Sequence, residues 1–301
     1  MGLFRSYENA GPGIDPNAPK KKPFFRFWEL LWRNLGKLFL LNIIYSMLHI
    51  PLMASLVVFM ETNNKFTDAM TVFLVAVQFL VEGPAIAGCA RVLRLIVLDK
   101  PFFFSDEFKK GFKQNFGAGL LYWFIDALVI ASLIAGHLVY PQMANESGSK
   151  AVFIPFGITV AIALVLLFMN YYIWPLQVAT RLDKRTILKN SFMLSGLSLK
   201  ECAISTLGSV LMIGIVAGLW FLNNGLIFIL AFFPAAFIGY LVMFVHYPVV
   251  QRFVINPYYE ESGERNPEEE EEIPEEDRVF TDRGGTEQPV KVEHKKGKVI
   301  S

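Results

Sequence analysis

Three ionisable residues stand near the middle of long apolar runs of this 301-residue chain: His49, Glu82 and Asp126. A charge at the centre of a bilayer costs about 2.5–3.5 kcal/mol on insertion scales, so each calls for a partner, a watery cavity or a neutral protonation state. His49 is the twelfth residue of its run, Glu82 the fourteenth and Asp126 the eleventh, which places all three near mid-depth. If the helices pack together, an imidazole and two carboxylates at one level could relay a proton or hold a cation. The alternatives are that Glu82 pairs with Arg91 or Arg94, and that Asp126 is protonated or hydrogen-bonded to a neighbouring helix.

Around these residues the backbone carries its own signals. Glu82-Gly83-Pro84-Ala85-Ile86-Ala87-Gly88 loses one helical hydrogen bond at Pro84. Its small residues permit a kink, an unwound turn or close helix contact. Asn170-Tyr171-Tyr172-Ile173-Trp174-Pro175-Leu176-Gln177 occupies the corresponding part of a later run, and its rings and amides could line a sugar-sized cavity or form an aromatic belt. Pro248 marks a third such position.

The elements that must position them follow from composition. With 53% hydrophobic and 18% charged residues, the chain is far from the quarter of charged residues usual in soluble domains. Six runs, at 38–60, 69–89, 116–140, 151–180, 202–222 and 226–251, are long and apolar enough to span a bilayer as helices. Asn223-Asn224-Gly225 reads as the turn between the last two. With both ends cytoplasmic, nineteen Lys and Arg fall on inner segments and only Lys65 and Lys150 on outer loops. Basic residues at the edges of spans point to anionic headgroups of the lipid bilayer and away from nucleic acid.

Short amphipathic helices are expected ahead of each outward span. Phe24, Trp28 and Trp32 recur at i+4, as do Phe108, Phe112 and Phe116 after a candidate N-cap at Ser105. Thr186 to Phe192 is a weaker third copy. With Lys109, Lys110 and Lys113 opposite the rings, Phe108, Phe112, Lys109 and Lys113 define a helix expected to lie in the headgroup plane. Trp32-Arg33-Asn34-Leu35-Gly36 and Lys113-Gln114-Asn115-Phe116-Gly117 stand 81 residues apart, and Ser195-Gly196-Leu197 lies near the next interval. The expected fold is therefore all-α: a polytopic transmembrane helical bundle of six spans, in three quasi-repeated hairpins with cytoplasmic amphipathic helices. Residues 1–22 and the acidic and basic stretch 256–301 read as disordered cytoplasmic tails.

No HExxH, GxSxG, P-loop or dinucleotide fingerprint occurs, and four dispersed histidines form no metal-ligand spacing. No enzyme, cofactor or metal is expected. The stretch from Phe27 to Met53, Gly83-Pro84-Ala85 followed by Arg91, and Phe108-Lys109-Lys110-Gly111-Phe112-Lys113-Gln114-Asn115-Phe116 together resemble the bacterial YesL-like membrane proteins, a family of unknown function. The resemblance is clearest over about residues 25–130. It implies that Asn42 is the family's asparagine early in the first span and Gly83-Pro84-Ala85 its small-residue turn. It further implies a bacterial cell membrane and an accessory or regulatory role in carbohydrate uptake, with a transport-system or cytoplasmic protein as partner. The alternative expectation is a transporter or channel with a cavity around Glu82, Asp126, His49 and Asn170.

Overall fold

The computed structural model describes residues 22–61, 64–222, 234–264 and 266–268, and every regular element among them is a helix. In chain order these are α1 (Pro23–Arg33), α2 (Leu35–Leu48), α3 (Ile50–Glu61), α4 (Lys65–Val97), α5 (Phe104–Gln114) and α6 (Phe116–Ser147). After a 3₁₀ turn (Lys150–Val152) come α7 (Phe153–Ala179), α8 (Lys184–Leu197), α9 (Leu199–Leu222) and α10 (Pro234–Val250), then a π turn (Gln251–Ile255) and α11 (Asn256–Ser262). Phe27–Asn266 forms one unit, and the packing below is within it.

Five of the described helices are long and apolar enough to cross a membrane, and α2 with α3 makes a sixth candidate bent by 42°. The chain is a multi-pass membrane protein. Its outer residues agree with that setting: Phe59, Ile134, Leu138, Ile158 and Leu207 are exposed apolar side chains, as lipid-facing positions require. The first span expected over 38–60 is made of two helices, α2 ending at Leu48 and α3 starting at Ile50. The second runs on to Val97 and the third to Ser147. The turn expected at 223–225 and the start of the sixth span lie outside the described residues, as do positions 1–21 and 269–301 of the two tails. Residues 256–262, expected within the second tail, are helical, and Tyr259 packs against the core.

The threefold repeat is written into the backbone at three joints. Each short helix meets its long partner at a buried polar residue: Asn34 between α1 and α2, Asn115 between α5 and α6, Ser198 between α8 and α9. In all three the side chain donates to the carbonyl four residues back: Asn34 Nδ2 to Leu30 O (3.0 Å), Asn115 Nδ2 to Gly111 O (2.9 Å) and Ser198 Oγ to Leu194 O (2.5 Å). Such back-bonding satisfies a carbonyl at the turn and bends the helix without breaking the chain of hydrogen bonds.

At the centre stands α4, which packs against α2, α3, α5, α6, α7 and α10. Pro84 does not interrupt it; the small residues around Pro84 serve close contact instead of an unwound turn. A Cβ on Gly83 would lie 2.1 Å from Gly119 O of α6, and one on Gly111 of α5 would lie 2.9 Å from Gly88 Cα. Helices in lipid associate through such close backbone approach, since lipid offers no hydrophobic driving force between them. Pro175 and Pro248 also lie inside continuous helices, and beyond Pro248 the backbone widens into the π turn.

The fully buried side chains collect toward the end of the bundle where the basic residues lie, among them Leu38, Leu41, Ile96, Tyr172, Leu176, Ile187, Tyr240 and Tyr247. There α4 closes with paired terminal bonds, Asp99 N to Ile96 O and Lys100 N to Leu95 O, both 3.1 Å. Asp99 takes the left-handed conformation (φ +57°) that glycine usually fills at this position, at a backbone cost on the order of 1 kcal/mol. An ion pair with Arg33, at the end of α1, holds it there.

The glycine contact gives the first prediction. Gly83→Ala should destabilise the folded protein in detergent by roughly 1–3 kcal/mol through overpacking against Gly119, read as a lowered Tm. Gly36→Ala, where no atom lies within 4 Å of the added methyl, should leave Tm within error; equal effects of the two would refute the contact.

Candidate functional site

The site forms at the bend beside Pro51. Lacking an N–H and crowding the preceding turn, Pro51 favours an early close of α2, and α3 starts in a direction 42° away. His49 N–H then bonds Ser46 O at 3.1 Å, three residues back instead of four. That leaves Tyr45 O to the His49 side chain, whose Nδ1 lies 2.8 Å away. The imidazole is thus turned toward α4, where His49 Nε2 meets Glu82 Oε2 at 2.9 Å.

Glu82 is enclosed, its side chain 7% exposed. It accepts from Tyr45 OH at 2.6 Å on one oxygen and from Gln78 Nε2 at 2.6 Å on the other. The proton inventory follows from donor and acceptor roles. A carbonyl only accepts, so His49 Nδ1 carries a hydrogen, and a second proton must lie between Nε2 and Oε2, since two lone pairs would otherwise face each other. The pair therefore holds one exchangeable proton in a cage of two donors, beside a break in the helix. Gln78 Oε1 is buried without a hydrogen-bond partner among the described residues, and so is Trp123 Nε1, whose Cβ lies against Gly83.

Asp126 does not join this cluster, contrary to the expectation of three ionisable groups at one site. It accepts from Asn170 Nδ2 at 2.7 Å, while Asn170 Oδ1 accepts from Trp174 Nε1 at 3.1 Å. Asn170 thus closes an α6–α7 network and lines no described cavity. Below it Tyr122 OH donates to Gln177 Oε1 (3.0 Å), and Gln177 Nε2 donates to the joint residue Asn115 (2.8 Å). Asn42 is fully buried and accepts from Ala236 N–H of α10 at 3.0 Å, a bond that ties α2 to α10.

Nor does Glu82 pair with either arginine. Arg94 donates to Tyr247 OH (2.8 Å) and to Val178 O (3.1 Å), clamping α4, α7 and α10 together. Arg91 pairs with Glu107 of α5 at 2.6 Å, with Lys110 at 2.7 Å on the other oxygen. The α5 expectation is corrected likewise: Phe108 is buried against Gly88 instead of lying in the headgroup plane, and Phe112 packs on the same core. Lys109 and Lys113 remain exposed. Ser105 is inside the first turn, and the N-cap position belongs to Phe103.

Sequence reasoning missed Tyr45, Gln78, Pro51 and His246. The first two stand four residues before His49 and Glu82, on the same helix faces, and Pro51 interrupts an apolar run. His246 stands in the last apolar run as His49 does in the first, and it is fully buried, bonded to Ser205 Oγ at 2.9 Å and stacked on Tyr171. Among the described residues no group of three His, Cys, Asp or Glu could hold a metal ion. The chain matches no family model, no characterised protein and no solved structure.

Two outcomes test this geometry. Pro51→Ala should let His49 N–H return to Tyr45 O and straighten α2 against α3, seen as a longer end-to-end distance between spin labels on the two helices; an unchanged distance would mean that Pro51 does not set the bend. Burial of Glu107 opposes its charge, yet hydrogen bonds from Lys110 and Arg91 outweigh it and hold the carboxyl below the ordinary value of about 4.5. A depressed carboxyl stabilises α5 docking fully above that ordinary value, and the stabilisation is lost as pH falls through the depressed one. Hydrogen exchange in α5 should therefore accelerate only on acidification below that range, and Glu107→Gln should remove the transition.

Proposed function

We propose that this multi-pass protein lies in a bacterial cell membrane with both ends cytoplasmic and acts as an accessory or regulatory partner of small-molecule uptake, carbohydrate foremost. The observation that carries the reading is the construction of α5. Its apolar face is spent on α4 through Phe108 and the Gly88–Gly111 contact, and Arg91 and Lys110 pin Glu107. What it offers outward is Lys109 and Lys113 with Asp106 beside them, a face of net positive charge suited to an acidic surface on a partner protein. The excess of Lys and Arg on the inner segments supports the orientation. The resemblance of residues 25–130 to YesL-like proteins supports the bacterial setting and the link to carbohydrate.

A second reading, a carrier in its own right, is favoured by one observation: a proton-holding His49–Glu82 pair beside a helix break, with Gln78 Oε1 and Trp123 Nε1 nearby as unused polar atoms. Broken helices with polar groups at mid-depth are how carriers build their sites.

The readings part on variants. For the accessory protein, Lys109→Glu with Lys113→Glu should cut sugar uptake by cells on the order of tenfold through like-charge repulsion of the partner, at unchanged membrane level, while Glu82→Gln leaves uptake intact. The carrier predicts the reverse pattern. Purified protein that moves a labelled sugar across liposomes by itself would overturn the accessory reading.

A further inference from the structure

At the first of the three joints the bundle opens a pocket of about 350 Å³, lined by Arg33, Asn34, Lys37, Leu95, Ile96, Asp99, Lys100 and Pro101. Three cations surround one carboxylate. Arg33 is committed to Asp99. Lys37 donates to Asn34 Oδ1 at 3.0 Å and stands 4.6 Å above the Phe102 ring, an arrangement that uses one of the three donors of its ammonium. Lys100 follows Asp99 directly and lines the same space. The pocket thus has a net positive charge with its own carboxylate already seated in it.

The other joints differ at this point. At the second, Lys184 Nζ reaches Gly117 O at 3.3 Å. At the third, the opening of about 500 Å³ is apolar, lined by Leu164, Phe168, Phe192, Met193 and Leu197 among others. Within a repeat that keeps the bend, the first joint carries a basic pocket and the third an apolar one. Its depth is also defined: α2 begins at Leu35 and α4 ends at Val97, so the pocket lies where two spans leave the hydrocarbon. Trp32, next to Arg33, is exposed, and Phe103, two residues beyond the pocket, is 83% exposed. An aromatic rim beside a basic recess at a span end is the setting in which an anionic headgroup and its acyl chains are held together.

We propose that this pocket binds the phosphate of an anionic phospholipid headgroup. Lys37 and Lys100 are its ligands, and Asp99 is a built-in competitor that the lipid phosphate must displace or outmatch. This also gives a role to an aspartate where the backbone favours glycine: the left-handed conformation at Asp99 sets its carboxylate on Arg33 at the pocket lining. The inference is independent of the function proposed above.

Native mass spectrometry of the full chain in detergent, titrated with phosphatidylglycerol, phosphatidylcholine or glycerol 3-phosphate, tests it. Phosphatidylglycerol should bind selectively. Lys37→Gln with Lys100→Gln should weaken that binding roughly tenfold or more, Asp99→Asn should strengthen it, and Lys109→Gln with Lys113→Gln should leave it unchanged. Equal binding of phosphatidylcholine, or no response to the pocket variants, would overturn the proposal. Glycerol 3-phosphate binding as tightly as phosphatidylglycerol would overturn it in favour of a soluble phosphate ligand. Should the double variant fail to fold, the gain expected from Asp99→Asn decides, because loss of structure cannot strengthen binding.

Discussion

Backbone contact between α4 and its neighbours is the constraint on which the rest of the bundle depends. Gly83 against Gly119 and Gly88 against Gly111 bring helices so close that no side chain fits between them. In lipid this is a main source of helix attachment, because dispersion and weak backbone contacts replace the hydrophobic effect. Once α5 and α6 are drawn in this way, the segment from Glu82 to Gly88 cannot also be an unwound ligand loop. A motif that could have signalled a substrate site is instead the surface to which other helices are fastened.

The mid-membrane polar residues obey the same economy of partners. Glu82 takes Tyr45, Gln78 and His49; Asp126 takes Asn170, which takes Trp174; Asn42 takes the Ala236 amide. Each arrangement follows from the cost of an unpaired polar group in hydrocarbon. Only the first couples an exchangeable proton to a backbone break, and that distinction separates it from the others as a candidate for function. The rest tie neighbouring helices together.

The three joints show how a repeat diverges. Asn34, Asn115 and Ser198 keep one geometry, a side chain bonded back to the carbonyl four residues earlier. Their surroundings have drifted to a basic pocket, a lysine-to-backbone bond and an apolar groove. The bend is a local property of one residue and its own helix, so it survives changes in everything around it. The neighbouring side chains are set by contacts from other helices and are free to specialise.

The amino-acid sequence by itself determined the class of the protein, the approximate positions of most spans, the amphipathic short helices and the repeat that aligns Asn34 with Asn115. These rest on run length and periodicity, which need no knowledge of neighbours. Nomination of His49 and Glu82 was also legible, since ionisable residues in apolar runs declare themselves. Their partnership was not: it needed the bend at Pro51, the closing of His49 N–H on Ser46 O, and the packing of α2 on α4. The separation of Asp126 from Glu82 was equally a matter of packing. Equal depth along two helices says nothing about the faces they turn to each other, and that rotation is decided by where glycines let α4 and α6 touch. Burial of Phe108 was missed for the same reason, because an apolar helix face looks alike to lipid and to another helix until Gly88 provides the space for it.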